Sequence, residues 1–313
     1  MANNLRWVVV GNGNQGGKHR EVLGSSCVGV VDESSISAGV AALDQYSNDS
    51  YDAIVISTPE HVKNTYIEYA LNKKKSVLVE KPIDVDPNLL QLIEKSLADG
   101  IHFETAYDHQ IDPGIMYLIE KVKSVPKEEL GWSTLKINYS FGTQALIKNS
   151  LWMDFGTGPW ELVAPHALRI LCELDSGSDD EFLYSFGMGN LQSPSTVTAV
   201  RSGKNYVEVT TSYTSWLNTF SMNFTWEEGT LELSGLTKWG SSTFSEYKRI
   251  HPAGKPDLIE IKVFEARTPL EAVAALHKVV FDKDLSHSLA CDLKIANYLT
   301  EARKQLLVWN NTP

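Results

Sequence analysis

Residues 6–10 form a short, mostly apolar run that breaks at once into Gly11-Asn12-Gly13-Asn14-Gln15-Gly16-Gly17. A strand that ends in Gly-x-Gly-x-x-Gly and continues as a helix, here over residues 18–23, confines the chain to few folds. The tight turn, the approach of backbone to a pyrophosphate and the seating of helix on strand each need a position without a side chain, and these fall on Gly11, Gly13 and Gly16. Such a turn alone is weak evidence, but its surroundings strengthen it. A second apolar strand over residues 27–31 ends in Asp32, about twenty residues past the first glycine, where folds of this kind place an acid on the adenosine ribose. Capping of a helix is the competing role for Asp32. Glu33, Ser34 and Ser35 follow with no Arg nearby, so an added ribose phosphate would meet carboxylates, and NAD is favoured over NADP.

Strand and helix go on alternating. Residues 53–57 and 75–80 read as strands, 62–72 and 87–100 as helices, the latter opened by Asp86 and closed by Gly100, and 102–107 as a fifth strand. This rhythm predicts a parallel sheet with right-handed crossovers and a dinucleotide across its carboxyl edge. Lys81 follows the apolar run Val77-Leu78-Val79 and precedes Pro82, which puts it at such an edge. A desolvated Lys there can exchange a proton near neutral pH.

With 313 residues, 42% of them hydrophobic, the chain can build two cores. A formal net charge of −11 argues against general binding to nucleic acid or to anionic membranes. Cys27, Cys172 and Cys291 lie far apart, which predicts neither a disulfide framework nor a zinc site, and no His, Asp or Glu spacing calls for a metal. No apolar run approaches the ~18 residues of a membrane span and no secretory leader is evident, so a soluble, cytoplasmic protein is expected.

From residue 132 the texture changes to longer alternating segments: 132–139, 183–187, 196–201, 206–216, 219–226, 230–236, 244–250 and 258–264. An antiparallel meander with one face on helices is expected. Trp216, Phe220, Phe224 and Trp226 are expected on the other face as a subunit interface, the alternative being a sheet covered by its own helices. Residues 268–281 and 286–309 read as amphipathic helices, with Leu289, Leu293, Ala296, Leu299 and Leu306 as core contacts. His277 and His287 are given no chemical role.

The string GNGNQGGKH ending at His19, the STP of Ser57-Thr58-Pro59, the EKP of Glu80-Lys81-Pro82 and the AYDHQIDP of residues 106–113 resemble, in kind and order, the glucose-fructose oxidoreductase/inositol dehydrogenase (Gfo/Idh/MocA) family. The resemblance is specific over residues 5–115. It implies an α/β protein: an N-terminal Rossmann parallel sheet within a domain of residues 1–122, and a substrate-binding and oligomerisation α/β domain of residues 123–313 on a large, mostly antiparallel open sheet. It implies hydride transfer between NAD(P) and a ring hydroxyl or ketone of a sugar, cyclitol or nucleotide sugar, in a homodimer or homotetramer. The cofactor would be held by Gly11, Gly13, Asn14, Gln15, Gly16, Asp32, Ser57, Thr58, Pro59, His61, Glu80, Lys81 and Pro82, with a cis bond at Pro82. Substrate would meet Lys81, Tyr107, Asp108, Trp152, Asp154 and His166, of which Lys81 and His166 are the expected catalytic residues.

Departures from the family pattern bear on this assignment. Aligned on His166, the family's two helical aspartates fall on Leu162 and Arg169, and a glycine falls on Ala164. Glu161 or Asp154 is then the candidate replacement for the missing carboxylate, although Glu161 lies off the helix face of Leu162. Lys63 stands where a His is common, and Asp108-His109-Gln110 replaces Asn-Arg. Two alternatives to the dehydrogenase are a dinucleotide-binding sensor without catalysis and a reductase of a non-sugar substrate such as an imine or an open tetrapyrrole.

Overall fold

The computed structural model describes residues 5–32, 39–126, 128–142, 154, 156–174, 181–189, 191–203, 205–250, 256–281 and 285–310, without the side chains of 285–288 and 310. The first third forms five strands, β1 (Trp7–Val10), β2 (Cys27–Val31), β3 (Ala53–Ile56), β4 (Ser76–Glu80) and β5 (Phe103–Ala106). All pair in parallel, in the order β2-β1-β3-β4-β5. β1, β3 and β5 are buried along their whole length, because helices cover both faces of such a sheet and leave no polar side. One face holds Val8, Val10, Ile54, Ile56, Val77 and Val79 against Tyr66, Ile67, Leu89 and Ile93. Each such side chain contributes about 1.5–3 kcal/mol when fully buried.

The connecting helices are α1 (Asn14–Leu23), α2 (Glu60–Asn72) and α3 (Pro87–Ala98). α1 begins at Asn14, a turn earlier than its sequence pattern indicated. α3 is opened as expected: Asp86 Oδ1 accepts from the amides of Asn88 and Leu89 at 2.8 and 2.9 Å.

Contacts divide the chain into a first unit of Met1–Asp108 with Pro269–Ala296, and a second of His109–Thr268 with Asn297–Pro313. A boundary at residue 122 therefore falls within the second unit, and the helix α7 (Pro269–Val279), expected with the C-terminal half, belongs to the first. The long helix α8 (Leu285–Asn310) contributes to both.

The second unit contains α4 (Pro113–Ser124), β6 (Ser133–Ser140), α5 (Pro159–Leu162), α6 (Ala164–Leu174), β7 (Leu183–Gly187), β8 (Thr196–Arg201), β9 (Asn205–Ser212), β10 (Thr219–Trp226), β11 (Gly229–Ser234), β12 (Ser242–Lys248) and β13 (Asp257–Phe264). Its eight strands run β13-β12-β11-β10-β6-β9-β8-β7. This is a mostly antiparallel sheet but not a meander: β6 is inserted between β10 and β9 and is parallel to β9. α4 and α6 pack on one face.

The aromatic side chains assigned to an interface lie elsewhere than expected. Phe220, Phe224 and Trp226 are buried on the helix-covered face with Met222. Ser221, Asn223 and Thr225 occupy the opposite side, as the period-two alternation of β10 requires. Trp216, 87% exposed, lies beyond the end of β9. The open face is hydroxylated, with Thr198 paired to Thr210 and Thr225 to Thr230, and its exposed apolar positions include Leu258, Ile261 and Val263 on the edge strand β13 and Leu183 on the opposite edge strand β7.

The end of α8 is tied to the second unit by an ion pair. Glu161, with no exposed surface, receives Arg303 Nε on Oε1 at 2.7 Å and Nη2 on Oε2 at 2.8 Å. A buried carboxylate stripped of its cation keeps its desolvation cost and loses the attraction that offset it. Arg303→Met is therefore expected to destabilise in urea unfolding by about 1–3 kcal/mol, less than for a fully buried pair because Arg303 is 37% exposed, and Glu161→Gln/Arg303→Met to recover most of that loss. Equal losses in the single and double variants would refute this account.

Candidate functional site

In the first unit the parallel order reverses direction between β1 and β3, and open sheets bind ligands outside the carboxyl ends at such a point. The glycine turn follows β1 and Ser57-Thr58-Pro59 follows β3, so both face this crevice. Gly11 adopts φ +88°, and a Cβ on Gly16 would run into the Gly11 carbonyl; α1 is thereby seated against the turn. Its N-terminus carries no side-chain cap, and a Cβ on Gly13 would meet nothing within 4 Å. Open space thus lies where helix amides favour an anion. Asn12 Oδ1, Ser57 Oγ and Thr58 Oγ1 are buried beside it without a hydrogen-bond partner among the described residues. Buried polar atoms are rarely left so unless a ligand or water completes them. These residues fit the phosphates and ribose of a dinucleotide.

The remaining cofactor candidates differ in exposure and in their contacts. Gly13, Asn14, Pro59 and His61 are exposed, and Asp32 ends β2, partly buried. Gln15 is engaged: its Nε2 donates to Glu80 Oε1 at 3.4 Å and its Oε1 accepts from Lys18 Nζ at 2.6 Å. Glu80 Oε1 also meets His19 Nε2 at 3.2 Å. The Lys81–Pro82 bond is cis, as the family resemblance implied. Lys81 is partly buried just past β4.

The deeply desolvated amine is a different one. Lys63 is 4% exposed and donates to the Pro82 carbonyl at 2.8 Å. Burial, with Lys81 adding to it and Glu80 and Glu60 opposing, brings its pKa down from 10.5 to about 8. Tyr107, an expected substrate contact, is 1% exposed and donates to Asp292 Oδ1 at 2.8 Å, while Thr105 donates to Oδ2 at 2.7 Å. Its hydroxyl helps tie α8 to β5. Asp108, partly buried, closes this unit.

In the second unit His166, near the start of α6, is 7% exposed and lies against His109, with ring centroids 3.7 Å apart. His109 Nε2 is 2.9 Å from Tyr139 Oη, and Nδ1 is 3.5 Å from Lys238 Nζ. An ammonium can only donate, so Nδ1 accepts and the ring proton on Nε2 is given to Tyr139. Trp239 stands edge-on to His109, with centroids 6.0 Å apart. Sequence spacing gave no hint of this pair of imidazoles, 57 positions apart in the chain.

Neither candidate carboxylate replaces the one missing at Leu162. Glu161 is committed to Arg303 and Thr157. Asp154 accepts from the Gln192 and Ser193 amides and from Ser193 Oγ at 2.9, 2.7 and 2.6 Å. Burial would raise its pKa, but these donors together outweigh burial and hold it below the usual carboxylate range. Arg169, 2% exposed, donates to Gln110 and pairs with Glu173. Trp152 lies outside the described residues.

No family model matches the sequence, and no curated protein does. Solved structures do. UDP-N-acetylglucosamine 3-dehydrogenase GnnA from Acidithiobacillus ferrooxidans superposes with a TM-score of 0.67 at 18% identity over 96% of each chain. An inositol dehydrogenase homolog from Azotobacter vinelandii, complexed with NADH and myo-inositol, gives 0.69 at 14% identity over 96% of this chain and 94% of that one. A protein from Desulfitobacterium hafniense DCB-2 named as an NADPH-dependent oxidoreductase gives 0.72 at 14% identity over 98% and 96%. The fold is that of Gfo/Idh/MocA-type oxidoreductases.

Burial of Lys63 has a measurable consequence. Its amine is harder to protonate in the folded chain than in the unfolded one, so below about pH 8 the charge costs stability, about 3 kcal/mol in full. That cost disappears as pH rises from about 8 toward 10.5. Wild type should therefore gain stability relative to Lys63→Met across this window, measured by denaturant unfolding at stepped pH. A constant difference between the two proteins would show that the amine is not desolvated.

Proposed function

We propose that the chain is an NAD-dependent oxidoreductase that moves hydride between nicotinamide and a ring hydroxyl or ketone of a sugar, cyclitol or nucleotide sugar. The observation that carries this reading is the group of unsatisfied buried oxygens on Asn12, Ser57 and Thr58 around the glycine turn, at the point where an open parallel sheet takes a nucleotide. It is supported by likeness of fold to a nucleotide-sugar dehydrogenase and to a protein holding NADH with myo-inositol. Asp32 at the end of β2 favours NAD.

When bound, nicotinamide supplies or accepts the hydride. Lys81 holds the oxygen on the reacting carbon, where an ammonium polarises a ketone or stabilises a developing alkoxide. His166 takes the hydroxyl proton in oxidation and returns it in reduction, a task suited to an imidazole near neutral pH. With no carboxylate at Leu162, the ring of His166 is oriented by its contact with His109, itself held by Tyr139 and Lys238.

Hydrophobic and hydroxylated rows share the open face of the eight-stranded sheet, and we propose that this face pairs two copies of the chain. Ile261→Glu places a charge among Leu258, Ile261 and Val263 and is expected to yield monomers in sedimentation, whereas an unchanged oligomer would assign the contact elsewhere.

The functional reading is tested by NADH binding, followed by fluorescence, together with a screen of polyols and nucleotide sugars for change in the reduced-nicotinamide band. Lys81→Ala is expected to bind NADH within a few-fold of wild type and to lose turnover by at least about 100-fold. Binding without turnover on any substrate would favour the sensor, which Leu162 and Arg169 at the two aspartate positions also favour. Full turnover in Lys81→Ala would end the mechanism.

A further inference from the structure

His277, in the last turn of α7, is buried in the first unit, more than 250 residues along the chain from the glycine turn. Its Nε2 lies 2.9 Å from Nδ1 of His19 on α1, and His19 Nε2 lies 3.2 Å from Glu80 Oε1. We propose that His277 is a positioning residue for the nucleotide site: by donating to His19 it keeps the His19 proton aimed at Glu80, and so holds the first turns of α1 against the end of β4. The proposal rests on the nucleotide reading above and names a part of the chain that governs it.

Hydrogen-bond roles follow from what each group can give. A carboxylate only accepts, so His19 Nε2 carries the proton and donates to Glu80. With the Nε2 proton given to Glu80, His19 Nδ1 is left to accept, and the donor in reach is His277 Nε2–H. Burial, with His19 beside it, brings the His277 pKa from 6.5 down to about 3, so this ring is neutral and carries a single N–H. Both rings are thereby Nε2–H tautomers. Trp7 stands edge-on to His277, with centroids 5.5 Å apart and planes at 88°, and Phe281 stacks on the same indole with centroids 5.6 Å apart. The imidazole is thus held by aromatic packing as well as by His19.

What the relay orients lies at the carboxyl edge. Glu80, the residue preceding Lys81, accepts from Gln15 in the first turn of α1. Rotation of the carboxylate would release both Gln15 and His19, and with them the spacing between the phosphate-facing amides and the Lys81 backbone. A neighbouring leucine could fill the space of His277 but could not donate.

The experiment compares wild type, His277→Leu and His277→Gln, since a glutamine amide reaches about as far as Nε2 and restores a donor. NADH dissociation constants are measured by fluorescence and histidine tautomers by side-chain nitrogen NMR on the unliganded proteins, with thermal unfolding as a check on folding. The expected result is a neutral Nε2–H pattern at His19 in wild type and His277→Gln, lost in His277→Leu, with NADH binding weakened about ten-fold in His277→Leu alone. An unchanged His19 pattern or unchanged affinity in a folded His277→Leu protein overturns the proposal. Wild type that binds neither NADH nor NADPH overturns the nucleotide reading instead, and the nitrogen pattern then reports separately on whether the relay exists.

Discussion

The seating of α1 on the Gly11 carbonyl is the contact on which the first unit depends. A helix can come that close to a turn only where the side chain is absent, as at Gly16. That approach places α1's uncapped N-terminus over open space and brings His19 and Gln15 within reach of Glu80. One steric condition therefore sets where an anion can sit and where the Glu80-Lys81-Pro82 turn is anchored. Lys63 secures the other side of that turn through the Pro82 carbonyl. The turn is thus fixed by two buried polar groups, from helices on either side of β3 in the chain, rather than by apolar packing alone.

Much of this architecture was legible in the sequence, for reasons that differ between the two halves. Parallel strands covered on both faces are mostly apolar, so β1, β3 and β4 stand out as runs, and Asp86, whose side chain caps the helix, marks the start of α3. In the second half each strand was visible by its alternation, but strand order was not. Period two records which residues share a face and says nothing about β6 entering between β9 and β10, a pairing decided by distant contacts. The aromatic residues of β10 were placed on one face correctly and on the wrong side of the sheet, because alternation alone does not say which face the helices cover.

The site was legible where residues are close in sequence and illegible where the fold joins distant ones. Gly11, Ser57 and Lys81 each end a strand, and parallel topology brings strand ends together. The contact of His19 with His277 spans 258 positions, and that of His109 with His166 joins segments 57 positions apart. Tyr107 and Gln15 were expected to face ligands because of their position in a pattern. Their polar atoms instead complete Asp292 and Glu80, buried or half-buried carboxylates that need donors. Burial of an acid creates a demand that nearby side chains must meet, and that demand is not visible until the acid's surroundings are known.

The same demand explains why neither Glu161 nor Asp154 is spare to serve His166. Glu161 is consumed by Arg303, and Asp154 by the turn at Gln192 and Ser193. Where Arg169 stands in place of an acid, its guanidinium is directed to Gln110 and Glu173. A carboxylate beside an imidazole stabilises its protonated form, whereas a second imidazole bonded to an ammonium does not. Within the second unit, the group packed on His166 is therefore His109, itself held by Tyr139 and Lys238.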